Sequence, residues 1–566
     1  MKNTFLERCA QQRLLVVLLG VCPALPVWAA PPPPAPGAGT ILQQAQPTPP
    51  PAPASNSSGL NIEQSPIGTL PPSAPFPVEH FEITGNARID TATLHALVAS
   101  AEGKRLTLPE LAALTGRITD YYHTHGYPLA RAIVPPQTLH DGVVRIEVIE
   151  AHYGKVSVSN QSRVSDGLLQ STLAGLQSGA VVSQAPLDRS LLLLSDIPGV
   201  AVNAALKPGE TVGSSDLQVD VTSPQAITGS VTADDAGDRY TGRARLGGTV
   251  SLLDPLHHGD VLSLNALTSG SGMNYGRLSY DVLLNGEGTH VGVGYSGLHY
   301  RLSGRLSDLD ASGDAQDASL WVKQPLVRGR DLSMYAQIQY DHLRLNDDVG
   351  ASDLETRRHL DNLTTSFDGD VRDGALAGAV NTWSASWTYG HVGFDNAVAE
   401  SADSTAADTQ GDFSKWNVSL GRLQSFNAND ALYLQAIGQW ANGNLDPSQQ
   451  FIVGGPASVR AYDVSALSAD TGYQLTAELR HTYPEFWYGR WQTIAFVDDA
   501  HVAVNRTTFA PGPNTASLYG AGVGMNWAGP DEWTASVTLA APFGGRPELV
   551  GDTPSARGWV QVSKAF

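Results

Sequence analysis

Residues 519–527 read Tyr-Gly-Ala-Gly-Val-Gly-Met-Asn-Trp, so large and small side chains alternate along this stretch. In an extended strand, successive side chains point to opposite faces, which places Tyr519, Val523 and Trp527 on one face and the glycines on the other. Alternating segments of roughly 10 residues are typical of strands that cross a membrane as part of a barrel.

The same alternation continues through residues 224–566, which we interpret as one transmembrane β-barrel. Residues 383–389 alternate Trp, Ala, Trp and Tyr with Ser and Thr, and residues 334–340 alternate apolar with polar side chains. The polar stretch 363–367 shows the weakest alternation. Counting the segments predicts a mostly β fold whose barrel has sixteen antiparallel strands.

The connections between these segments differ in length. If the first strand rises from the periplasmic side of such a barrel, connections after even strands should be short and those after odd strands long. Residues 285–289 and 426–430 are short even connections, whereas 397–412 and 442–472 are long polar odd ones. A soluble β-sandwich gives no reason for this asymmetry, so the pattern favours a barrel in a membrane.

The composition excludes several classes of protein. The chain has 566 residues and a formal net charge of −20, which argues against nucleic acid as a partner. Basic residues precede an apolar core at 14–21, and Ala29 supplies a small residue before a cleavage site, so we predict an export signal at 1–29. Both cysteines, Cys9 and Cys22, lie in that segment, and the mature chain should therefore have neither disulfides nor thiolate metal sites.

Two similar units precede the barrel. Residues 30–76 are rich in Pro, and we predict a linker without a fold of its own. Residues 77–151 have the pattern of a β-α-α-β-β unit, with a capping box at Thr107 and Glu110 opening its second helix. The pattern recurs over 152–223, so two tandem copies of about 70 residues form an internal repeat.

Four short motifs in these regions are specific enough to indicate a protein family. They are Gly-Tyr-Pro-Leu-Ala-Arg at 126–131, Ile-Pro-Gly-Val at 197–200, Val-Arg-Ala-Tyr at 459–462 and Phe-Val-Asp-Asp-Ala at 496–500. With these motifs, residues 77–566 resemble the two-partner secretion transporters, the haemolysin and filamentous-haemagglutinin exporters. The resemblance implies that the repeated units are POTRA domains in the periplasm and that the barrel lies in the outer membrane.

The resemblance also implies a functional site in the barrel. The residues that match its motifs are Val459, Arg460, Tyr462, Phe496 and Asp498. It implies that the loop between strands eleven and twelve folds inward and that Arg460 pairs with Asp498 on the inner wall. A guanidinium in a confined lumen needs a carboxylate, and this pairing can be bidentate.

Some features of the site stay open at this stage. Taken alone, Arg460 is more typical of a solvated arginine in a surface loop, and only the flanking motif, the position of the loop and the matching carboxylate favour the ion pair. Both barrel motifs depart from the family at a glycine, replaced here by Ala461 and Ala500, which puts the tightness of the loop tip in question. The last residue, Phe566, is a terminal aromatic of the kind that outer-membrane barrels usually carry as an assembly signal.

The expected function is a pore that recognises one large unfolded exoprotein, of β-helical type, through the POTRA units and secretes it. Outer-membrane lipid and the barrel-assembly machinery are the other expected partners. One alternative is a barrel-assembly insertase of the same superfamily, which usually has more POTRA units; another is a passive porin, which needs none. The sequence shows no Ser-His-Asp or Cys-His set, so we expect no enzyme, no cofactor and no metal.

Overall fold

The computed structural model describes residues 35–46, 59–62, 72–551 and 553–566. The expected export signal at 1–29 lies outside the described residues. Within the described part of the chain, no helix is both long and apolar enough to cross a bilayer.

The expectation that residues 30–76 have no fold is wrong for two short elements. Helix α1 (Ala38–Ala45) lies inside the barrel, and strand β1 (Leu60–Ile62) is part of a sheet in the second unit. Ile41 of α1 is fully buried, so the lumen supplies the apolar contacts that the segment itself lacks. The remaining Pro-rich residues between these elements lie largely outside the described part of the chain.

The first POTRA unit has two helices packed on a small sheet. Its elements are β2 (Phe76–Val78), β3 (His80–Thr84), α2 (Thr91–Val98), β4 (Lys104–Leu106), α3 (Leu108–Thr124), β5 (Arg131–Ile133) and β6 (Val143–Ile149). The sheet has the order β3-β6-β5, and β2 pairs with β4. The capping box predicted at Thr107 and Glu110 is present. Burial raises the pKa of Tyr122, whose hydroxyl donates to Glu150 at 2.9 Å and so ties α3 to the end of the sheet.

The second POTRA unit repeats this plan. Its elements are β7 (His152–Gln161), α4 (Asp166–Thr172), α5 (Gln184–Ser195), β8 (Ala201–Pro208) and β9 (Ser214–Thr222). Helix α5 buries Leu187, Leu191 and Leu194, which recur at helical spacing, against the sheet. Strand β1 pairs in parallel with the outer edge of β8, giving the order β1-β8-β9-β7.

Sixteen antiparallel strands close into the barrel. They are β10 (Ile227–Asp234), β11 (Arg245–Leu253), β12 (Val261–Thr268), β13 (Met273–Leu283), β14 (His290–Arg301), β15 (Ala311–Arg328), β16 (Leu332–Val349), β17 (Leu354–Asp373), β18 (Ala379–Phe394), β19 (Gly411–Ser425), β20 (Asp430–Ala441), β23 (Thr471–Thr482), β24 (Arg490–Ala503), β25 (Thr515–Ala528), β26 (Trp533–Pro542) and β27 (Arg557–Ala565). A hairpin of β21 (Phe451–Val453) and β22 (Leu467–Ala469) lies between β20 and β23.

The strand count and the place of the motif loop are confirmed. The barrel has sixteen strands, and 442–470 connects the eleventh to the twelfth. The barrel closes by pairing β10 with β27, for example Ser230 with Ala565. The predicted faces also hold: Val523 is 58% exposed on the outer surface, whereas Asp498 is fully buried on the inner one.

The connections follow the predicted asymmetry in part. Residues 395–410 and 442–470 are long, and the first of them contains helix α6 (Ala397–Ser404). The odd connection 350–353 is short instead, because β16 and β17 are 18 and 20 residues long. A membrane strand needs only about 9–11 residues, so on this side of the barrel the extra length takes the form of a strand hairpin and not of a loop.

Candidate functional site

The connection 442–470 turns back into the barrel. Strands β21 and β22 pair with each other, and Gly454 and Gly455, with φ of 100° and 103°, turn the chain towards the tip. These backbone angles favour glycine because a Cβ there meets the preceding carbonyl. At the tip, Val459 and Ala461 are fully buried.

Arg460 has the ion pair that the resemblance implies. Its Nε donates to Oδ2 of Asp498 at 2.9 Å and its Nη2 to Oδ1 at 2.8 Å, which makes the contact bidentate. The backbone amide of Arg460 donates to the same carboxylate at 3.1 Å. The guanidinium carbon lies 3.3 Å from the ring centroid of Phe496, so both residues of the β24 motif hold this one arginine.

A second carboxylate that sequence reasoning missed completes the site. Nη1 of Arg460 donates to Oε2 of Glu478 at 2.7 Å, and Nε of Arg480 donates to the other oxygen, Oε1, at 2.7 Å. Two arginines therefore face two carboxylates, Glu478 and Asp498, and the cluster is neutral as a whole. Glu478 occupies an inward position of β23, two residues from Thr476, which pairs with Asp498. Because alternate residues of a strand face the same side, the two-residue spacing from Thr476 could have identified Glu478 from the sequence.

Gly520 explains how the tip tolerates Ala461. A Cβ added to Gly520 would lie 2.8 Å from Cβ of Ala461, closer than two such atoms approach each other. The chain thus keeps the close contact by placing its glycine on the wall, in β25, and the alanine on the loop. Ala500, the other departure, is fully buried in the same apolar cluster.

Further contacts fix the tip to the end of the barrel. The indole Nε1 of Trp559 on β27 donates to the carbonyl of Arg460 at 2.8 Å. Tyr462 is buried and its amide donates to the carbonyl of Val459 at 3.1 Å, which closes the turn. Next to it, Asp463 accepts a hydrogen bond of 3.1 Å from Arg243, which lies in the first connection of the barrel, between β10 and β11.

Helix α1 occupies the lumen beside this loop. Its apolar face is Ala38, Ile41, Leu42 and Ala45, and it packs against buried residues of the inner wall such as Leu345. The helix has no charged side chain. A polar cavity of about 690 Å³ remains between the helix, the loop and the wall.

Polar contacts hold both ends of α1. At the start of the helix, the amide of Ala38 donates to Oδ1 of Asp347 at 2.7 Å. At its end, Nε2 of Gln44 donates to Oγ of Ser465 in the loop at 2.6 Å, and Gln43 donates to the carbonyl of Ser448. The first contact suits the helix macrodipole, which favours an anion at the N-terminus.

One arginine joins the start of α1 to the base of the loop. Arg358 is 6% exposed and donates to Oδ2 of Asp347 at 2.8 Å and to Oδ2 of Asp446 at 2.5 Å. Asp446 in turn accepts from the amide of Ser448 at 2.8 Å. The helix and the loop base therefore share a buried polar network, which the sequence did not predict.

The last residue lies at the closure of the barrel. Phe566 exchanges two backbone hydrogen bonds of 2.9 Å with Gly229, near the start of β10. Its ring is 53% exposed. The residue that was expected to act as an assembly signal thus reaches across the seam between the last and first strands, and its role in assembly stays a prediction.

Comparison with known proteins agrees with this architecture. The family model of the haemolysin secretion/activation protein ShlB/FhaC/HecB matches residues 213–527, and the model of the ShlB-type POTRA domain matches 76–151. The Heme/hemopexin transporter protein HuxB of Haemophilus influenzae is 24% identical over 504 residues, which is 87% of each chain. The outer membrane transporter CdiB of Escherichia coli is 25% identical over 516 residues, 86% of each chain.

Solved structures share the fold. CdiB from Escherichia coli aligns with a TM-score of 0.69 at 22% identity, covering 89% of this chain and 92% of that one. BamA from Haemophilus ducreyi without its first three POTRA domains aligns with 0.53 at 14% identity, covering 87% and 100%. Since the family model covers more than half of the sequence, the chain belongs to the haemolysin secretion/activation protein family, and it is a two-partner secretion transporter of the outer membrane with its POTRA domains in the periplasm.

Proposed function

We propose that the chain secretes one large exoprotein through the barrel lumen, after the POTRA units have captured it unfolded and α1 has left the lumen. The observation that carries this proposal is the content of the lumen. A short uncharged helix lies in it beside a loop whose tip is fixed by buried charges. The helix is the part that can leave without separating an ion pair.

Strand β1 offers a route from capture to release. It pairs with the edge of β8 over only three residues, Leu60–Ile62, and it follows α1 in the chain. An extended segment of the exoprotein that adds to the same edge would displace β1, because strand addition uses the same backbone groups. Loss of β1 would free the segment that leads to α1.

The expected partner explains the direction of transport. The periplasm offers no nucleotide, so folding of the exoprotein on the outer side must make its exit irreversible. A β-helix suits this task, because its stacked repeats can fold one after another from the end that emerges first. Transport of this kind needs no catalytic group, and we propose that the chain is not an enzyme.

The barrel itself requires two further partners, the lipid that surrounds it and the machinery that inserts it. Its outer surface is apolar, with residues such as Val523 and Leu539 more than half exposed, and it requires outer-membrane lipid around it. We propose that the barrel-assembly machinery inserts it and reads the terminal Phe566 at the seam.

Site-specific photo-crosslinking tests the route. A photoreactive residue is placed at Asp341, which lines the lumenal cavity, and at Val523, which faces lipid as the matched control. Cells express the chain with its exoprotein, and the exoprotein carries a folded C-terminal domain that arrests it in transit. We expect crosslinks from position 341 and none from position 523. Crosslinks from 523 alone, or from neither position while the exoprotein is arrested in transit, would contradict passage through the lumen.

A further inference from the structure

Three side chains with metal-binding atoms converge on the first POTRA unit. His80 begins β3, His95 lies on α2, and Glu102 follows α2 in the turn before β4. One ligand atom from each lies within 4.8 Å of the others. Among the described residues, this is the one group of three with that geometry.

The two imidazoles point at one carboxylate oxygen. Nδ1 of His80 lies 2.8 Å from Oε1 of Glu102, and Nε2 of His95 lies 2.9 Å from the same atom. The amide of Phe81 also donates to this oxygen, at 2.9 Å. The two ring centroids are 5.4 Å apart. A single cation near this point would contact both imidazole lone pairs and the carboxylate at once.

These distances are close to those of a tetrahedral zinc site. Zinc binds nitrogen and carboxylate oxygen at about 2.0–2.2 Å, which separates neighbouring ligand atoms by about 3.3 Å. The two nitrogen–oxygen separations of 2.8 and 2.9 Å therefore need to widen by only a fraction of an ångström, and the two imidazole nitrogens, which lie within 4.8 Å of each other, need to approach by roughly 1.5 Å at most. The His80 side chain is 59% exposed, so its ring can turn to make the adjustment and the fourth position is open to water.

We propose that His80, His95 and Glu102 bind a divalent first-row transition metal, and that Zn²⁺ is the ion that two imidazoles and one carboxylate suit best. The bound ion joins the edge strand β3 to α2 and to the turn before β4. Binding to the folded unit and not to the unfolded chain stabilises the fold. The site does not depend on the secretion route.

Equilibrium dialysis of the full-length chain in detergent tests the site. The protein carries no histidine tag, is stripped with a chelator, and is dialysed against ZnCl₂ before metal analysis. We expect one zinc ion per chain for the wild type and for the control His140→Ala, which removes an exposed histidine of the same unit. His95→Ala and Glu102→Gln should weaken binding by more than about 10-fold, the effect of losing even an outer-shell partner.

The Glu102→Gln variant separates metal binding from folding. Its amide keeps an oxygen that can accept from the Phe81 amide, so the unit should retain its circular dichroism spectrum. Zinc should raise the unfolding temperature of the wild type and of His140→Ala, but not of the ligand variants. Equal zinc binding by all variants, or no zinc on the wild type at saturating ZnCl₂, would overturn the proposal.

Discussion

The two segments inside the barrel are held in different ways. The loop tip is fixed by charges: Arg460 contacts two carboxylates, and Asp498 is fully buried. Helix α1 instead has an uncharged sequence and rests on Ile41 and Leu42, with neutral side-chain hydrogen bonds at its C-terminal end. Separating a buried ion pair leaves charges without partners. Withdrawing α1 breaks the hydrogen bonds at its two ends and exposes a short apolar face, but it separates no ion pair. The comparison supports the proposal that the loop tip stays in the barrel and that the helix is the segment that leaves.

The largest effect is expected from breaking the ion pair at the tip. Arg460→Ala leaves the buried Asp498 without its cation, and Asp498→Ala leaves Arg460 and Arg480 sharing the single carboxylate of Glu478; breaking a buried pair in this way costs about 3–5 kcal/mol. We therefore expect each variant to lose most secretion of the exoprotein while the barrel still inserts. The double variant should be no worse than either single one, since it removes both charges.

Exoprotein in the medium and heat-modifiable barrel in the membrane fraction are the two readouts. Arg344→Ala is the matched control, because Arg344 is an exposed arginine of β16. Normal secretion by the single variants would contradict the functional pairing, as would losses of secretion that simply add in the double variant. Arg460 would then be an ordinary loop arginine.

A smaller effect is expected from weakening the apolar packing that holds α1 in the lumen. Ile41 and Leu42 are 0% and 1% exposed, and truncating a fully buried residue of this size to Ala costs about 2–5 kcal/mol. The variant Ile41→Ala/Leu42→Ala should leave the lumen open more often and conduct more ions in a planar bilayer. Gln46→Ala, at the exposed end of the helix, should conduct like the wild type. Unchanged conductance in the first variant would mean that α1 does not close the pore.

The smallest effect is a difference in chemical labelling. Single cysteines are introduced at Ala397, which is exposed on α6, and at Ser458, which is 8% exposed and donates to Gln474 inside the barrel at 2.6 Å. A membrane-impermeant thiol reagent applied to intact cells should modify position 397 readily and position 458 poorly. Equal labelling would place the loop tip outside the barrel.

The part of this architecture that repeats could be predicted from the sequence. The alternation through 224–566 predicted the strand count, and the count placed Arg460 in the loop between strands eleven and twelve. That this loop folds inward was implied by the resemblance to the family. Asp498 could be paired with it because both lie in motifs that resemble the family. Periodicity of this kind is local, so a single chain shows it directly.

The parts that depend on distant contacts could not be predicted. Helix α1 has only eight residues, too few for a stable helix in water, and it forms because the lumen buries Ile41. The partnership of Ala461 with Gly520 joins residues from a loop and a strand and has no signal within either. Likewise, His80, His95 and Glu102 come from three elements whose approach only the folded unit defines.

Two disulfide locks compare the segments directly in one assay, because the mature chain has no expected cysteine. Gly37→Cys/Asp347→Cys ties the start of α1 to the wall, where a Cβ on Gly37 lies 3.4 Å from Cγ of Asp347, the place of a cysteine sulfur. Ala461→Cys/Gly520→Cys ties the loop tip, whose Cβ atoms must move apart by about 1 Å to reach disulfide geometry.

Secretion of the exoprotein is measured for both variants with and without a reductant. The account predicts that the oxidised α1 lock stops secretion and recovers on reduction, while the oxidised tip lock secretes like its reduced form. Asp347→Cys alone should not respond to the reductant. Secretion through a locked α1, or a block by the locked tip that reduction relieves, would contradict the claim that the helix leaves and the loop tip stays.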